Sequence, residues 1–261
     1  TMLFELDRFQ DSYLGFIVLR PNRVSSIGRT ILDPEKLSFV SGHVCVSKYP
    51  VHILGAELFV KGFPYMSQDT DVTVCAHAAC WMIFRYFSQR YSRYAEKWPY
   101  EVSQLTRDVS TGRLVPSKGL TAYQVTEMFS NFGFTPEIYI RGQHRDLFDK
   151  LLYMYVESGL PVVAALSEHS HAITIIGHLS DFSITPPATP CASDAYLYGL
   201  VANDDNFLPY HAIRKNDPAP PSGYWSRFKV EEIDTFIVPL YEKIHLSAEH
   251  VIELSKAILT D

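Results

Sequence analysis

From Cys75 to Phe87 the chain reads Cys-Ala-His-Ala-Ala-Cys-Trp-Met-Ile-Phe-Arg-Tyr-Phe, apolar on nearly every helical face. A surface helix keeps a polar side, so a run that is apolar all round belongs in the middle of a domain with other elements packed about it. The fold is therefore built around a helix over 75–90. It is entered from the polar stretch Asp69-Thr-Asp-Val-Thr73, where Asp71 or Thr73 would cap it. Cys75 then falls in the first turn, where backbone N–H groups have no partner inside the helix. With 47% hydrophobic and 13% aromatic residues the chain has ample material for a core, which excludes disorder.

The segments on either side differ in period. Residues 13–19, 37–46 and 51–60 are rich in β-branched and aromatic side chains, with turn signals at Pro21-Asn22 and Tyr49-Pro50. The pattern changes at Lys61-Gly-Phe-Pro64. Beyond it, helices are expected over 100–109 and over 121–132, the second entered through Gly119 and left at Gly133. A strand over 135–140 leads to a helix over 144–158, with Leu147, Leu151, Leu152 and Tyr155 at helical spacing, ended by Gly159-Leu-Pro161. Buried strands follow at 162–166, 172–177 and 196–202. A loop with Pro186, Pro187 and Pro190 separates the last two, a long loop spans 205–223, and a tail helix covers 247–259. The sum is an α+β chain with a β-rich region over 1–62, a main domain over 63–240 and a tail over 241–261.

A net charge of −6 argues against nucleic acid as a partner, because phosphate binding needs clustered Lys and Arg. No run reaches membrane-spanning length, and no basic start precedes an apolar stretch. The four cysteines (Cys45, Cys75, Cys80 and Cys191) are too scattered for a disulfide framework, and reduced thiols in a cytoplasmic setting are expected. Cys45–Cys191 is the one pairing left open. No cofactor signature is present, and oligomeric state is not legible.

The chemistry rests on a few positions. A thiol at a helix start meets the positive end of the helix dipole and free N–H donors, the setting of a nucleophile. His171 stands just before a buried strand and just after the turn Ser167-Glu-His-Ser170, so its imidazole should emerge at a sheet edge, where it can exchange a proton. His169 lies in the turn itself, and His178 lies at the far end of the same strand. A third group would orient the imidazole, and Asn203-Asp-Asp-Asn206 ends the next strand. Asp204 is the first choice, with Asn203 and Asp205 as alternatives. Gln68 could supply a side-chain donor to an oxyanion. Cys75, His77 and Cys80 are soft ligands close together, but a helix points them apart and no second cluster completes a zinc site, so no metal is expected.

Gln68…Cys75 ahead of an apolar helix resembles the papain-like cysteine peptidases. Residues 121–134, 147–166, 171–177 and 196–204 follow in the order of the bacteriocin-processing, double-glycine-cleaving group. The resemblance covers about 63–206. It implies a papain-like fold, in which the helix bearing the cysteine packs on an antiparallel sheet bearing the His and Asp, behind a β-rich N-terminal extension. It also implies Cys75 as nucleophile, His171 as base, Asp204 as its orienting partner and Gln68 in the oxyanion hole. Ala76-His77 stands where that family has a glycine after the cysteine, the Gln-to-Cys spacing is about one residue longer, and Asp205 follows Asp204 where a proline is common. The expected activity is hydrolysis of a peptide or isopeptide bond in a peptide or protein substrate. The alternative is a papain-like shell without activity that binds a peptide or protein.

Overall fold

The computed structural model describes residues 2–21, 26–36, 42–68, 75–104, 120–183, 185, 192–215, 224–244 and 246–259. The chain is α+β. α1 (Met2–Ser12) is followed by β1 (Gly15–Phe16), β2 (Thr30–Leu32), β3 (Gly42–Val44), β4 (Ser47–Ile53) and β5 (Ala56–Tyr65). The central helix α2 (Cys75–Arg90) precedes α3 (Pro99–Gln104), α4 (Ala122–Asn131), β6 (Thr135–Ile140), α5 (Arg141–His144) and α6 (Phe148–Glu157). The remainder is β7 (Val162–Leu166), β8 (His171–Ser180), β9 (Leu197–Asn203), β10 (His211–Arg214), β11 (Trp225–Lys229), β12 (Thr235–Leu240) and α7 (Ala248–Leu259).

The all-round apolar run is buried as its composition demands. Met82, Ile83, Phe84 and Phe87 are at most 1% exposed, and each such burial stabilises by about 1.5–3 kcal/mol. α2 packs on β8 on one side and on β4 and β5 on another. Phe84 stacks on Phe132 at 4.0 Å and Tyr94 on Phe134 at 4.3 Å, so the far end of α2 is fixed by an aromatic cluster.

The main sheet runs β11-β10-β9-β8-β7-β12-β6, antiparallel except for the parallel pair β10–β11. β8 is its axis. One edge pairs with β9, while the other pairs first with β7 and then, from Gly177 to Leu179, with β3. A Cβ on Gly177 would stand 2.3 Å from the His43 carbonyl oxygen, so the close approach of β3 requires glycine there. A second sheet has the order β1-β2-β5-β4.

Several expectations are corrected. Residues 51–60 are not one strand but parts of a hairpin, β4 and β5, turned at Leu54 (φ 50°) and Gly55 (φ 82°). Positive φ at both central positions matches the twist of a two-residue hairpin loop. Pro50 is no turn either. It lies in β4, an edge strand, where the missing N–H costs least. The change of pattern at Lys61-Gly-Phe-Pro64 falls inside β5, which runs unbroken through it. Over 13–19 only Gly15–Phe16 is strand, and α1 before it was not foreseen. Gln10 on α1 exchanges two 2.9 Å hydrogen bonds with the backbone of Phe59, docking the helix on β5. Leu147, expected in the core, is 44% exposed because a 3₁₀ turn (Arg145–Leu147) precedes α6 and changes the angular phase. β10 lies inside the loop expected over 205–223, and β11 and β12 lie where no strand is expected. Of the strand expected over 37–46, positions 37–41 lie outside the described residues, as do 105–109 of the helix expected over 100–109. Among the described residues no helix is long and apolar enough to cross a membrane.

Tyr210 joins the two sheets. It is fully buried, its hydroxyl accepts from the Phe63 N–H at 2.8 Å and donates to the Leu32 carbonyl at 2.7 Å. Tyr210→Phe strands both backbone groups and should lower stability by about 1–3 kcal/mol in denaturant unfolding, with an unchanged m-value. An unchanged midpoint would mean that the hydroxyl contributes nothing.

Candidate functional site

Three elements meet at the start of β8. Cys75 is the first residue of α2 and is partly exposed, while Cys45 and Cys80 are buried; all three are free thiols. Asp71 and Thr73, the expected caps of α2, and Cys191 lie outside the described residues. His171 is the first residue of β8. The 3₁₀ turn Ser167–His169 and a left-handed Ser170 (φ 49°) bring the chain into the strand at that point. The Thr174 hydroxyl donates to the Ala79 carbonyl at 3.3 Å, tying β8 to α2 one turn beyond Cys75.

Asp204 follows β9 directly. Antiparallel pairing sets Thr174 opposite Asn203, which carries the end of β9 to the start of β8. His171 Nε2 donates to Asp204 Oδ1 at 2.9 Å, and the Cys75 side chain lies close enough to the imidazole to favour its charged form.

The other polar residues of that turn have different jobs. Asn203 is fully buried, donating to the Pro64 carbonyl at 3.0 Å and accepting from the Tyr210 N–H at 2.9 Å, so it anchors the turn rather than the ring. Asn206 donates its N–H to Asp204 Oδ1 at 3.0 Å and accepts from Gln68 Nε2 at 2.6 Å. Gln68 is thereby brought to the turn that holds Asp204. Arg20 clamps the backbone there, donating to the carbonyls of Ser67 and Gln68. The Tyr65 hydroxyl donates to the carbonyls of Asp204 and Phe207.

Asp205, the alternative to Asp204, is 1% exposed. Its Oδ1 lies 3.8 Å from His171 Nε2, and among the described residues neither carboxylate oxygen has a hydrogen-bond partner. Burial, partly offset by the His171 charge and reinforced by Asp204, pushes the Asp205 carboxyl up to about 7. His171 moves the opposite way from what burial alone would do. Desolvation disfavours its charge, but hydrogen bonds to Asp204 and Cys75 and the charges of Asp204 and Asp205 win, raising it to about 10. The imidazole is thus a cation at neutral pH.

The remaining candidates sit apart from this group. His169 pairs with Glu232 at 2.8 Å, and His178 is held by Glu157 and Ser180 at the far end of β8. His77 is buried within α2, and desolvation pulls it down to about 4. Cys75, His77 and Cys80 form no ligand set. Among the described residues, donor atoms of His171, Asp204 and Asp205 lie within 4.8 Å of one another, a nitrogen-and-oxygen set that would accept a divalent cation only in place of the proton between His171 and Asp204. Phe228 on β11 lies 5.8 Å from the His171 ring, a neighbour that no sequence signal marks. No family model matches the chain, and the searches of curated proteins and of solved structures gave no match.

Both raised groups make folding take up protons. The Asp205 contribution to stability is largest below the unfolded carboxyl pKa near 4 and is lost as pH rises through about 7. That of His171 is full below about 6.5 and is lost through about 10. Asp205→Asn keeps the shape and removes the buried ionisation. It should be nearly neutral at pH 4 and stabilising by about 1–3 kcal/mol at pH 8. Equal effects at both pH values, measured by denaturant unfolding, would show that Asp205 does not titrate in the fold.

Proposed function

We propose that this chain is a papain-like thiol hydrolase that cleaves a peptide or isopeptide bond in a peptide or protein substrate. The observation that carries the reading is the series Cys75, His171, Asp204, in which the imidazole is hydrogen-bonded to Asp204 and the Cys75 side chain adds to its raised pKa. In the proposed reaction the Cys75 sulfur attacks the substrate carbonyl carbon. The imidazolium of His171 gives its proton to the departing amine, leaving a thioester on Cys75. Neutral His171 then takes a proton from water as that water attacks the thioester. The acid is released, and the proton returns the thiol–imidazole pair to its starting form. Asp204 keeps the ring orientation and balances its charge throughout. N–H groups of the first turn of α2 and the amide of Gln68 are the proposed oxyanion donors. The free thiols accord with the cytoplasmic setting proposed for the chain.

The thiols separate the readings. Burial raises Cys45 to about 12 and raises Cys80 as well, whereas Cys75 is partly exposed beside a cationic ring. Brief iodoacetamide treatment at pH 6–7 followed by peptide mapping should modify Cys75 well before Cys45 and Cys80. Comparable labelling of the three would favour the inactive peptide-binding shell.

Activity and fold should also come apart on mutation. Cys75→Ser should abolish hydrolysis with little change in thermal stability, while Cys80→Ser places a hydroxyl in the core at a cost of about 1–3 kcal/mol. Asp204→Asn should retain the fold and lower the rate by about 10²–10⁴-fold. An unfolded Cys75→Ser and an inactive but stable Cys80→Ser would name the wrong cysteine.

A further inference from the structure

Beside His171 the surface carries a cation that the proposed reaction does not use. The guanidinium carbon of Arg227 lies 4.8 Å from the Phe228 ring centroid and 5.6 Å from that of Phe207. The Phe228 ring lies beside His171, and the backbone of Phe207 is tied to that of Asp204. Phe228 is 5.8 Å from the imidazole, and Phe207 ends the turn that begins at Asp204, its N–H donating to the Asp204 carbonyl at 3.0 Å. Phe228 is buried, whereas Arg227 is exposed and Phe207 is 39% exposed. The guanidinium therefore lies over an aromatic shelf beside Phe228, the neighbour of His171.

The surrounding charges leave Arg227 unmatched. Asp204 and Asp205 are buried and directed at His171, and Glu232 is taken by His169 and the Lys229 N–H. Arg227 forms no ion pair among the described residues. In a chain of net charge −6, an arginine that lies against two rings and pairs with no carboxylate among the described residues is poised to receive one. Its planar fork matches a carboxylate in two parallel hydrogen bonds, and stacking on the rings limits the freedom lost on binding.

We propose that Arg227, presented by Phe207 and Phe228, is a substrate-recognition residue that selects a carboxylate next to the bond cleaved at Cys75. This rests on the thiol-hydrolase reading of the same site. It narrows the substrate class to acidic peptides, with the carboxylate on a side chain or at a chain end.

Two aromatic disulfide reagents test it, because both react by exchange with a thiol and differ in charge. Dithiobis(nitrobenzoate) carries a carboxylate on its ring several ångströms from the sulfur, and dithiodipyridine is neutral. The readout is the ratio of their rates at Cys75, so that any change in thiol reactivity cancels. Arg227→Ala should lower the ratio by about three- to ten-fold and Arg227→Glu by more, with the differences shrinking at high salt. Arg227→Lys should fall between wild type and Ala, because the charge remains but the fork is lost. Protection of wild-type Cys75 by an end-blocked glutamyl dipeptide, or by a neutral dipeptide with a free carboxylate, tells a side chain from a chain end. Either protection should disappear in Arg227→Glu. A ratio that is the same in wild type, Ala and Glu variants overturns the proposal while leaving the hydrolase reading intact. Failure of both reagents to prefer Cys75 in the wild type overturns both.

Discussion

The register of β8 against β9 is the constraint on which the site depends. Thr174 stands opposite Asn203, so the first residue of one strand and the residues just past the end of the other come to the same corner of the sheet. A slip of one residue would turn the side chains of β9 to the opposite face and move Asp204 away from His171. The register is fixed from several directions: α2 packs on β8, the Thr174 hydroxyl bonds to Ala79, and the Asn203 amide bonds to β5 and to Tyr210. Cys75 needs no separate device, because the helix it begins is the one β8 packs against.

The second feature of the corner is the amount of ionisable material it hides. His171, Asp204 and Asp205 have side chains 8%, 3% and 1% exposed. Such groups are costly to bury unless each meets a partner. His171 and Asp204 meet one another, and Asn206 and Tyr65 hold the turn in place. For Asp205 burial outweighs the nearby imidazolium charge, so its carboxyl is pushed up to about 7. The fold thus spends stability on a charged corner mounted on two strands and a helix, elements stiff enough to hold a proton path.

What could be read from the sequence followed from the strength of local signals. The core helix and its leading cysteine were legible because an apolar run of that length has few alternatives, and His171 because a polar turn gives way abruptly to five buried residues. The β4–β5 hairpin was hidden because Leu54-Gly55 interrupts a continuous β-rich stretch with only two residues. β10, β11 and β12 are short, lie among prolines or charged residues, and owe their strand form to pairing with neighbours. In Asn203-Asp-Asp-Asn206 the composition of an exposed turn concealed burial, which only the packing of β5 and Tyr65 beneath it imposes. The placement of Phe228 and Arg227 beside His171 depends on sheet order alone, which is why no spacing reveals it.

The site turns on His171 being held as a cation by Asp204. Nitrogen-detected NMR titration of the His171 ring measures this directly, in the wild type and in Asp204→Asn. Wild-type His171 should stay protonated through neutrality and titrate near 10, and Asp204→Asn, which removes the charge and the acceptor, should bring it down by several pH units. A wild-type ring that titrates near 6.5, with no change in Asp204→Asn, would contradict it.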